Sequence, residues 1–462
     1  MPTLPRVFTL LAVLVVPFAR ADSIDDYARA QLEKHNVPAI ALAVVRDGKP
    51  VKVQAYGLAN VEHDVPATAD TVFQLASVTK QFTAAAVMRL VEEGKLSLDD
   101  PVSKHVDDLP EVWRPVTVRQ LLNHTSGIKG YTSAEAYRSR SNNDATAKDV
   151  LALVADAPLE FKPGERHDYS NTGYYLLGLV IERASGAKYG EYVKAKIFEP
   201  LGMRSSRLNR LDDVIPHRAD GYSFRDGAVK NARPPSMDWP YSAGALASTA
   251  NDMAKWVAAL QDGKVVSPAS QSQMWSPTKL ADGGKAPYGF GWQTGEHRGK
   301  RTVSHGGGIE GFSTMVLLFP EDRVGVVVLM NSDRTNPGRV AQDVAGLVDP
   351  SLARVVARAI EDKDPEATAL LRDVLARAAD GTLDGKKFSP ELWLAISAAL
   401  KAKPDAVKSL GKLQKLEPLE REASGGTARR FKYRAAFEHR TMLIHFHLDH
   451  EGKIVLMNLE QE

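Results

Sequence analysis

Phe73-Gln74-Leu75-Ala76-Ser77-Val78-Thr79-Lys80-Gln81-Phe82-Thr83 is the segment from which the rest of the chain can be read. Val78, Phe82, Ala85, Met88 and Val91 recur at helical spacing until Gly94, a residue type suited to a helix C-terminus. Ser77 therefore stands at the start of a buried helix. The i to i+3 spacing puts Ser77 and Lys80 on one helical face, so the lysine nitrogen can reach the serine hydroxyl. Serine is a poor nucleophile without a neighbouring base, and the free N–H groups and positive dipole end of a helix start favour an oxyanion beside it. The pair suits attack on a carbonyl carbon, although Ser-x-x-Lys alone also occurs on ordinary solvated helices.

Working outward, Ile40 to Val45 is apolar, Asp47-Gly48 is a tight-turn pair, and Val51 to Tyr56 resumes a strand pattern, which predicts an N-terminal hairpin. Strand character returns between Arg301 and Asn331: a Gly-rich segment, Phe312 to Phe319, a Pro320-Glu321-Asp322-Arg323 turn, and Val324 to Met330. These strands and the hairpin can share one antiparallel sheet. The middle, Leu98 to about Ala281, alternates helical stretches with Pro- and Gly-rich loops. Beyond Asp349 the character changes: Ser351 to Ile360, Glu366 to Ala379 and Pro390 to Leu400 read as helices, and Phe431, Tyr433, Ala435, then Met442, Ile444, Phe446 and Leu448, alternate as strands do. The chain is thus read as α+β, with a main domain over 22–348 and a small C-terminal α+β accessory domain over 349–462.

Met1 to Arg6 carries one positive charge, Val7 to Ala19 is apolar, and Ala19-Arg20-Ala21 has the small-x-small pattern of a cleavage site. Residues 1–21 are read as a signal peptide cut after Ala21, and the protein as exported, periplasmic or secreted. A membrane anchor is the alternative reading, but the run is shorter than the ~20 residues a spanning helix needs. No stable membrane span is expected after cleavage. With 462 residues, 25% charged and 44% hydrophobic, the composition excludes wholesale disorder and fibrous architecture. Lys+Arg at 59 against Asp+Glu at 57, with no basic block, argues against a nucleic-acid partner. Zero Cys excludes disulfides and a thiol nucleophile. The partner is then a small-molecule or peptide substrate, and the oligomeric state is left open.

The Ser77 segment resembles the active-site segment of the serine β-lactamase and penicillin-binding superfamily, whose Ser-x-x-Lys pair is a nucleophile element. Tyr169-Ser170-Asn171 resembles the Tyr-x-Asn motif of its class C branch, and His305-Gly306-Gly307 resembles the third motif, where β-lactamases usually carry Lys-Thr-Gly. Leu121-Leu122-Asn123-His124-Thr125-Ser126-Gly127 and Gly244 to Met253 also match stretches common in this branch. The resemblance covers roughly residues 24 to 345, with the motifs in order. It implies the β-lactamase-like fold: an antiparallel sheet flanked by helices, plus a helical subdomain, with the site between them. It also implies that Ser77 is acylated, that Lys80 and Tyr169 handle the proton, and that Asn171 orients Lys80 and offers its amide to the substrate. The backbone N–H groups of Ser77 and Gly308 would form the oxyanion hole. Which of Lys80 and Tyr169 is the base stays open at this point. Gly306, Gly307 and Gly308 lack side chains, so a substrate backbone can approach that strand. His124 would shape the site wall without doing chemistry, and Tyr131 would line the mouth.

His305 and Gly306 in place of Lys-Thr forfeit a fixed positive charge and a hydroxyl donor for a substrate carboxylate. The expected function is therefore an exported serine hydrolase acting on an ester, peptide or amide, of the esterase or D-amino-acid peptidase type, and no cofactor is implied. One alternative is a class C-like β-lactamase or penicillin-binding peptidase; another is a binding or scaffold protein that kept the fold and lost activity. Tyr169 and His305, each taken alone, also read as ordinary structural residues. His445, His447, His450 and Asp449 invite a zinc reading, but alternation with Ile444, Phe446 and Leu448 is better explained as a strand with one face in a core, so no metal is expected.

Overall fold

The computed structural model describes residues 19–333, 335–354, 358–402, 407–422 and 429–461. The first eighteen residues of the expected leader lie outside them, and Ala19 to Ala21 begin a helix. The described chain falls into two compact units dividing after Arg354.

In the first unit the long elements, in chain order, are helix α1 (Ala19–His35), strands β1 (Ala39–Arg46), β2 (Lys49–Asn60) and β3 (Val65–Pro66), and helices α2 (Thr79–Glu92), α3 (Asn171–Ser185) and α4 (Ala250–Gln261). Strands β4 (Gln293–His297), β5 (Lys300–Ile309), β6 (Phe312–Phe319) and β7 (Val324–Met330) follow, then helix α5 (Pro337–Val348). Alternation along β1 decides how the layers stack. Ala39, Ala41 and Ala43 face one core with residues of α2 and α4, while Ile40, Leu42 and Val44 face a second core with α1 and α5. Small side chains on the first face let α4 lie close, and a Cβ on Gly325 of β7, the register partner of Val45, would sit 2.4 Å from Val257 Cγ1 of α4. Both faces being covered, β1 and β7 are almost continuous apolar runs.

The sheet order is β4-β5-β6-β7-β1-β2-β3, every long pair antiparallel. The N-terminal hairpin turns on Asp47 and Gly48, both at positive φ, as their residue types allow. It joins the C-terminal strands through β1 and β7, with Ile40 opposite Met330 and Leu42 opposite Val328. Residues between α2 and α4 form the helical region, including short helices Val118–Leu122 and Ala147–Ala152, each with a capping box. Among the described residues no helix is long and apolar enough to cross a membrane.

The second unit contains α6 (Pro365–Asp380), α7 (Pro390–Ala402) and strands β8 (Leu413–Glu422), β9 (Arg429–Phe437), β10 (Thr441–Leu448) and β11 (Ile454–Gln461), an antiparallel meander in sequence order. Leu371, Val374 and Leu375 of α6 pack with Phe431, Tyr433, Ile444 and Phe446 in its own core. His445 and His447 lie on the other face, registered against Lys432 and Arg430 of β9. The helix expected over Ser351 to Ile360 is not formed in the described residues. Pro350–Leu352 make one 3₁₀ turn capped by Asp349, and Ile360, outside any helix, donates its N–H to Pro418 O at 2.9 Å. Leu352 is buried in the α1/α5 core and Arg354 pairs with Asp343 of α5 at 2.6 Å, which carries the first unit past Val348.

Candidate active site

A turn with an unusual backbone presents Ser77. Phe73–Gln74 pairs with Leu246–Ser248, after which Ala76 takes φ 48, a left-handed conformation costly for a residue with a Cβ. Residues Ala76–Val78 form a 3₁₀ turn that runs directly into α2. Three contacts hold this geometry: Leu75 N–H donates to Leu246 O at 2.8 Å, Thr314 Oγ1 donates to Leu75 O at 2.8 Å, and Leu246 N–H donates to Thr79 Oγ1 at 3.1 Å.

Lys80 is completely buried. Its Nζ lies 3.1 Å from Ser77 Oγ, 2.9 Å from Asn171 Oδ1 and 2.7 Å from Ala243 O, and it stands over the Tyr169 ring at 4.8 Å. Burial holds its pKa well below the usual lysine range, since an ammonium loses its hydration there. A neutral amine fits these three neighbours one by one. It donates its two protons to the amide and backbone oxygens, which can only accept, and its lone pair takes the hydroxyl proton of Ser77. Asn171 opens α3, capped by Ser170 Oγ, and its Nδ2 donates to Thr132 Oγ1 at 3.2 Å.

Tyr169 is 39% exposed along its ring, but its hydroxyl end is buried beside Ser77. Burial pushes that hydroxyl's pKa above the usual phenol range, and a hydrogen bond with Ser77 pulls it partly back. Ser77, Lys80, Tyr169 and Asn171 are thus brought together.

A cavity of about 600 Å³ opens beside Ser77 and Asn171, and these two line it with Tyr131 and Gly308, whereas Lys80 and Tyr169 stand behind that lining. Tyr131 contributes only wall: it is buried, and its hydroxyl donates to Trp239 O at 2.6 Å. His305, Gly306 and Gly307 do not line the cavity. The His305 imidazole is buried, with Nδ1 donating to Gly306 O at 2.7 Å and Nε2 accepting from the Tyr288 hydroxyl at 2.8 Å. Burial, then the nearness of Lys80, lowers its pKa to about 3. Gly307 serves the protein's own backbone, because a Cβ there would lie 2.2 Å from Leu75 O and 3.1 Å from Ser77 N. At Gly308 a Cβ would meet nothing within 4 Å, and of these glycines Gly308 is the one that lines the cavity.

The cavity wall also carries Thr132, Tyr137, Arg225, Glu310 and Asp333, which the sequence reading missed. A signal existed for Arg225: it precedes Asp226-Gly227, a tight-turn pair that closes the hairpin Tyr222–Arg225/Ala228–Asn231.

The beta-lactamase family model matches residues 24–348. Penicillin-binding protein 4* of Bacillus subtilis (strain 168) is 33% identical over 317 residues, covering 65% of this chain and 69% of that protein. Among solved structures, the octameric penicillin-binding protein homologue from Pyrococcus abyssi superposes with a TM-score of 0.63 at 26% identity, over 96% of this chain and 98% of that one. A D-stereospecific amidohydrolase from Streptomyces sp. gives a TM-score of 0.60 at 26% identity, over 70% of this chain and 97% of that one.

Proposed function

The chain belongs to the beta-lactamase family of serine hydrolases, and from that premise we propose that it hydrolyses esters or amides through an acyl-Ser77 intermediate. The observation that carries this reading is the buried Lys80 nitrogen, with two acceptor-only oxygens and one hydroxyl around it. Neutral Lys80 takes the Ser77 proton as Oγ attacks the substrate carbonyl carbon. The oxyanion forms beside the backbone of Ser77 and Gly308, in a position to gain from preorganised N–H donors. Tyr169, kept protonated by its burial, passes its proton to the leaving alcohol or amine, and the phenolate recovers one from the Lys80 ammonium, which stands over its ring. Water then attacks the acyl carbon, Lys80 and Tyr169 again managing the proton, and Ser77 is freed.

The substrate class follows from the third motif. A neutral imidazole locked between Tyr288 and Gly306 offers a carboxylate neither charge nor a free donor. Uncharged short esters and amides of D-amino acids are therefore preferred over penicillins and D-alanyl-D-alanine termini, in keeping with the amidohydrolase likeness. Export belongs to the same proposal and rests on the leader pattern of residues 1–21.

Labelling the protein with a fluorophosphonate, followed by peptide mapping, is expected to mark the Ser77 peptide. Ser77→Ala should abolish both the label and p-nitrophenyl ester turnover while melting near wild type. Undiminished turnover in the folded variant removes Ser77 from the role. A wide preference for nitrocefin over p-nitrophenyl butyrate in kcat/KM overturns the substrate assignment.

A further inference from the structure

His124 occupies a place in the chain where a histidine is unfavourable. It follows the short helix Val118–Leu122 and Asn123, and Thr125 N–H returns to Gln120 O at 2.9 Å, so His124 is the left-handed residue that ends the helix, with φ 58. Glycine or asparagine is the usual occupant, since a Cβ is penalised there. The imidazole is moreover 1% exposed and leaves its Nε2 without a hydrogen-bond partner. Backbone strain and an unsatisfied buried polar atom at one residue both cost stability, and such costs cluster where function constrains the fold.

What His124 does in return is visible around Tyr169. Its carbonyl accepts the N–H of Asp168 at 2.9 Å, and its Nδ1 accepts the N–H of Ser170 at 3.1 Å. One residue thus holds the backbone N–H groups of both chain neighbours of Tyr169. Its ring also lies against the Tyr169 ring, with centroids 4.3 Å apart and planes 36° from parallel. Tyr288 at 4.7 Å and Tyr174 at 5.0 Å hold the imidazole in turn. The loop around it hangs on the same segment, through Glu160 N–H to Gly127 O at 2.8 Å and Gly164 N–H to Thr125 O at 2.7 Å. An apolar ring could supply the packing but not the acceptor at Nδ1.

We propose that His124 is a positioning residue for Tyr169: its Nδ1, its carbonyl and its ring together set where the Tyr169 hydroxyl stands relative to Ser77 Oγ. This rests on the reading that Tyr169 transfers a proton in the Ser77 reaction. His124 is not among the residues that line the cavity, and it meets the Tyr169 segment through backbone and ring contacts. It acts because a displacement of about 1 Å in a proton donor costs on the order of a hundredfold in rate.

The test is a double-mutant cycle on the full-length protein with p-nitrophenyl butyrate. His124→Gly keeps the left-handed backbone and removes ring and acceptor, while His124→Asn keeps an acceptor oxygen in place of Nδ1. His124→Gly is expected to lower kcat by roughly a hundredfold with KM changed by no more than about threefold, and His124→Asn to recover at least about tenfold of that loss. In a Tyr169→Phe background, His124→Gly should cost no more than about a further threefold, since both changes remove one unit. A wild-type kcat in His124→Gly, or a fully multiplicative loss in the double variant, overturns the proposal. If His124→Gly does not fold, the cycle is run with His124→Asn under the same criterion. Tyr169→Phe at the wild-type rate would instead strike the underlying reading of Tyr169.

Discussion

Lys80 at the start of α2 and His305 on β5 are two buried nitrogen bases near the same tyrosine ring, at 4.8 Å and 6.1 Å from its centre. Burial drives both toward the neutral form. They differ in what their lone pairs face. Lys80 holds its Nζ 3.1 Å from Ser77 Oγ, a hydroxyl with a proton to give, whereas His305 spends both nitrogens on Tyr288 and its own backbone neighbour. Desolvation therefore makes a base only where a proton source is adjacent; elsewhere it makes wall. The largest expected effect breaks this contrast directly. Lys80→Ala should slow acylation by about three orders of magnitude with little change in melting temperature, while His305→Gln should cost less than about tenfold. Single-turnover kinetics on both variants decides it, and comparable losses would mean that His305 shares in the chemistry.

The glycines beside His305 sharpen the comparison. Gly307→Ala drives a Cβ into Leu75 O and Thr314 Oγ1, at 2.2 Å and 2.4 Å, and displaces the turn carrying Ser77. Overpacking of this kind costs about 1–3 kcal/mol or more, so both melting temperature and turnover should fall. Gly308→Ala meets nothing within 4 Å and should melt like wild type, while raising KM for bulky substrates. If Gly308→Ala is the destabilised variant of the two, the assignment of protein contact and substrate contact is reversed.

This contrast also marks how far the sequence could be read. Ser77 and Lys80 were legible because helical periodicity fixes their separation, and the motif order added Tyr169 and Asn171. The sheet was legible from β1, β6 and β7, whose apolar runs and turn residues are local signals. The orientation of His305 was not, because it depends on Tyr288, which lies in a loop with no period, and Gly307 was misread as substrate space because its close neighbour, Leu75, is far away in sequence. Glu310 and Asp333 reach the cavity through hairpin and loop geometry, which leaves no pattern in their residue types. Ser351 to Ile360 read as a helix because composition does not reveal that Leu352 is an anchor entering the α1/α5 core.

A smaller effect concerns acid. His305 changes from an unfolded pKa near 6.5 to about 3 in the folded protein, so between these values the unfolded chain binds the extra proton. Stability must then fall as pH falls from about 6.5 toward 3, and be fully present above that window. His124, also held neutral by burial, adds to the slope with the same sign. His305→Gln should flatten the fall in melting temperature over this range, once its offset at pH 8 is subtracted. Parallel curves for variant and wild type would show that the imidazole is protonated in the folded state.

The smallest expected effect is at the division between the units. Each has its own apolar core, the first reaching Leu352 and the second built on Leu371, Phe431, Ile444 and Phe446. Every residue given a role in the reaction lies before Arg354. A chain ending at Arg354 should therefore fold and hydrolyse p-nitrophenyl butyrate within about threefold of the full-length rate. The position of the cut makes this a sharp test. Ending at Val348 instead removes Leu352 from its core and breaks the Arg354–Asp343 pair, leaving Asp343 with Arg339 and the Tyr27 hydroxyl as its partners. Losing a buried leucine alone costs about 2–5 kcal/mol, so the shorter chain should melt measurably lower than the longer one. Equal melting of the two would put the end of the first unit before Leu352. A chain ending at Arg354 that folds but is inactive would give the second unit a part in catalysis, and the contrast between Lys80 and His305 would then describe only half of the site.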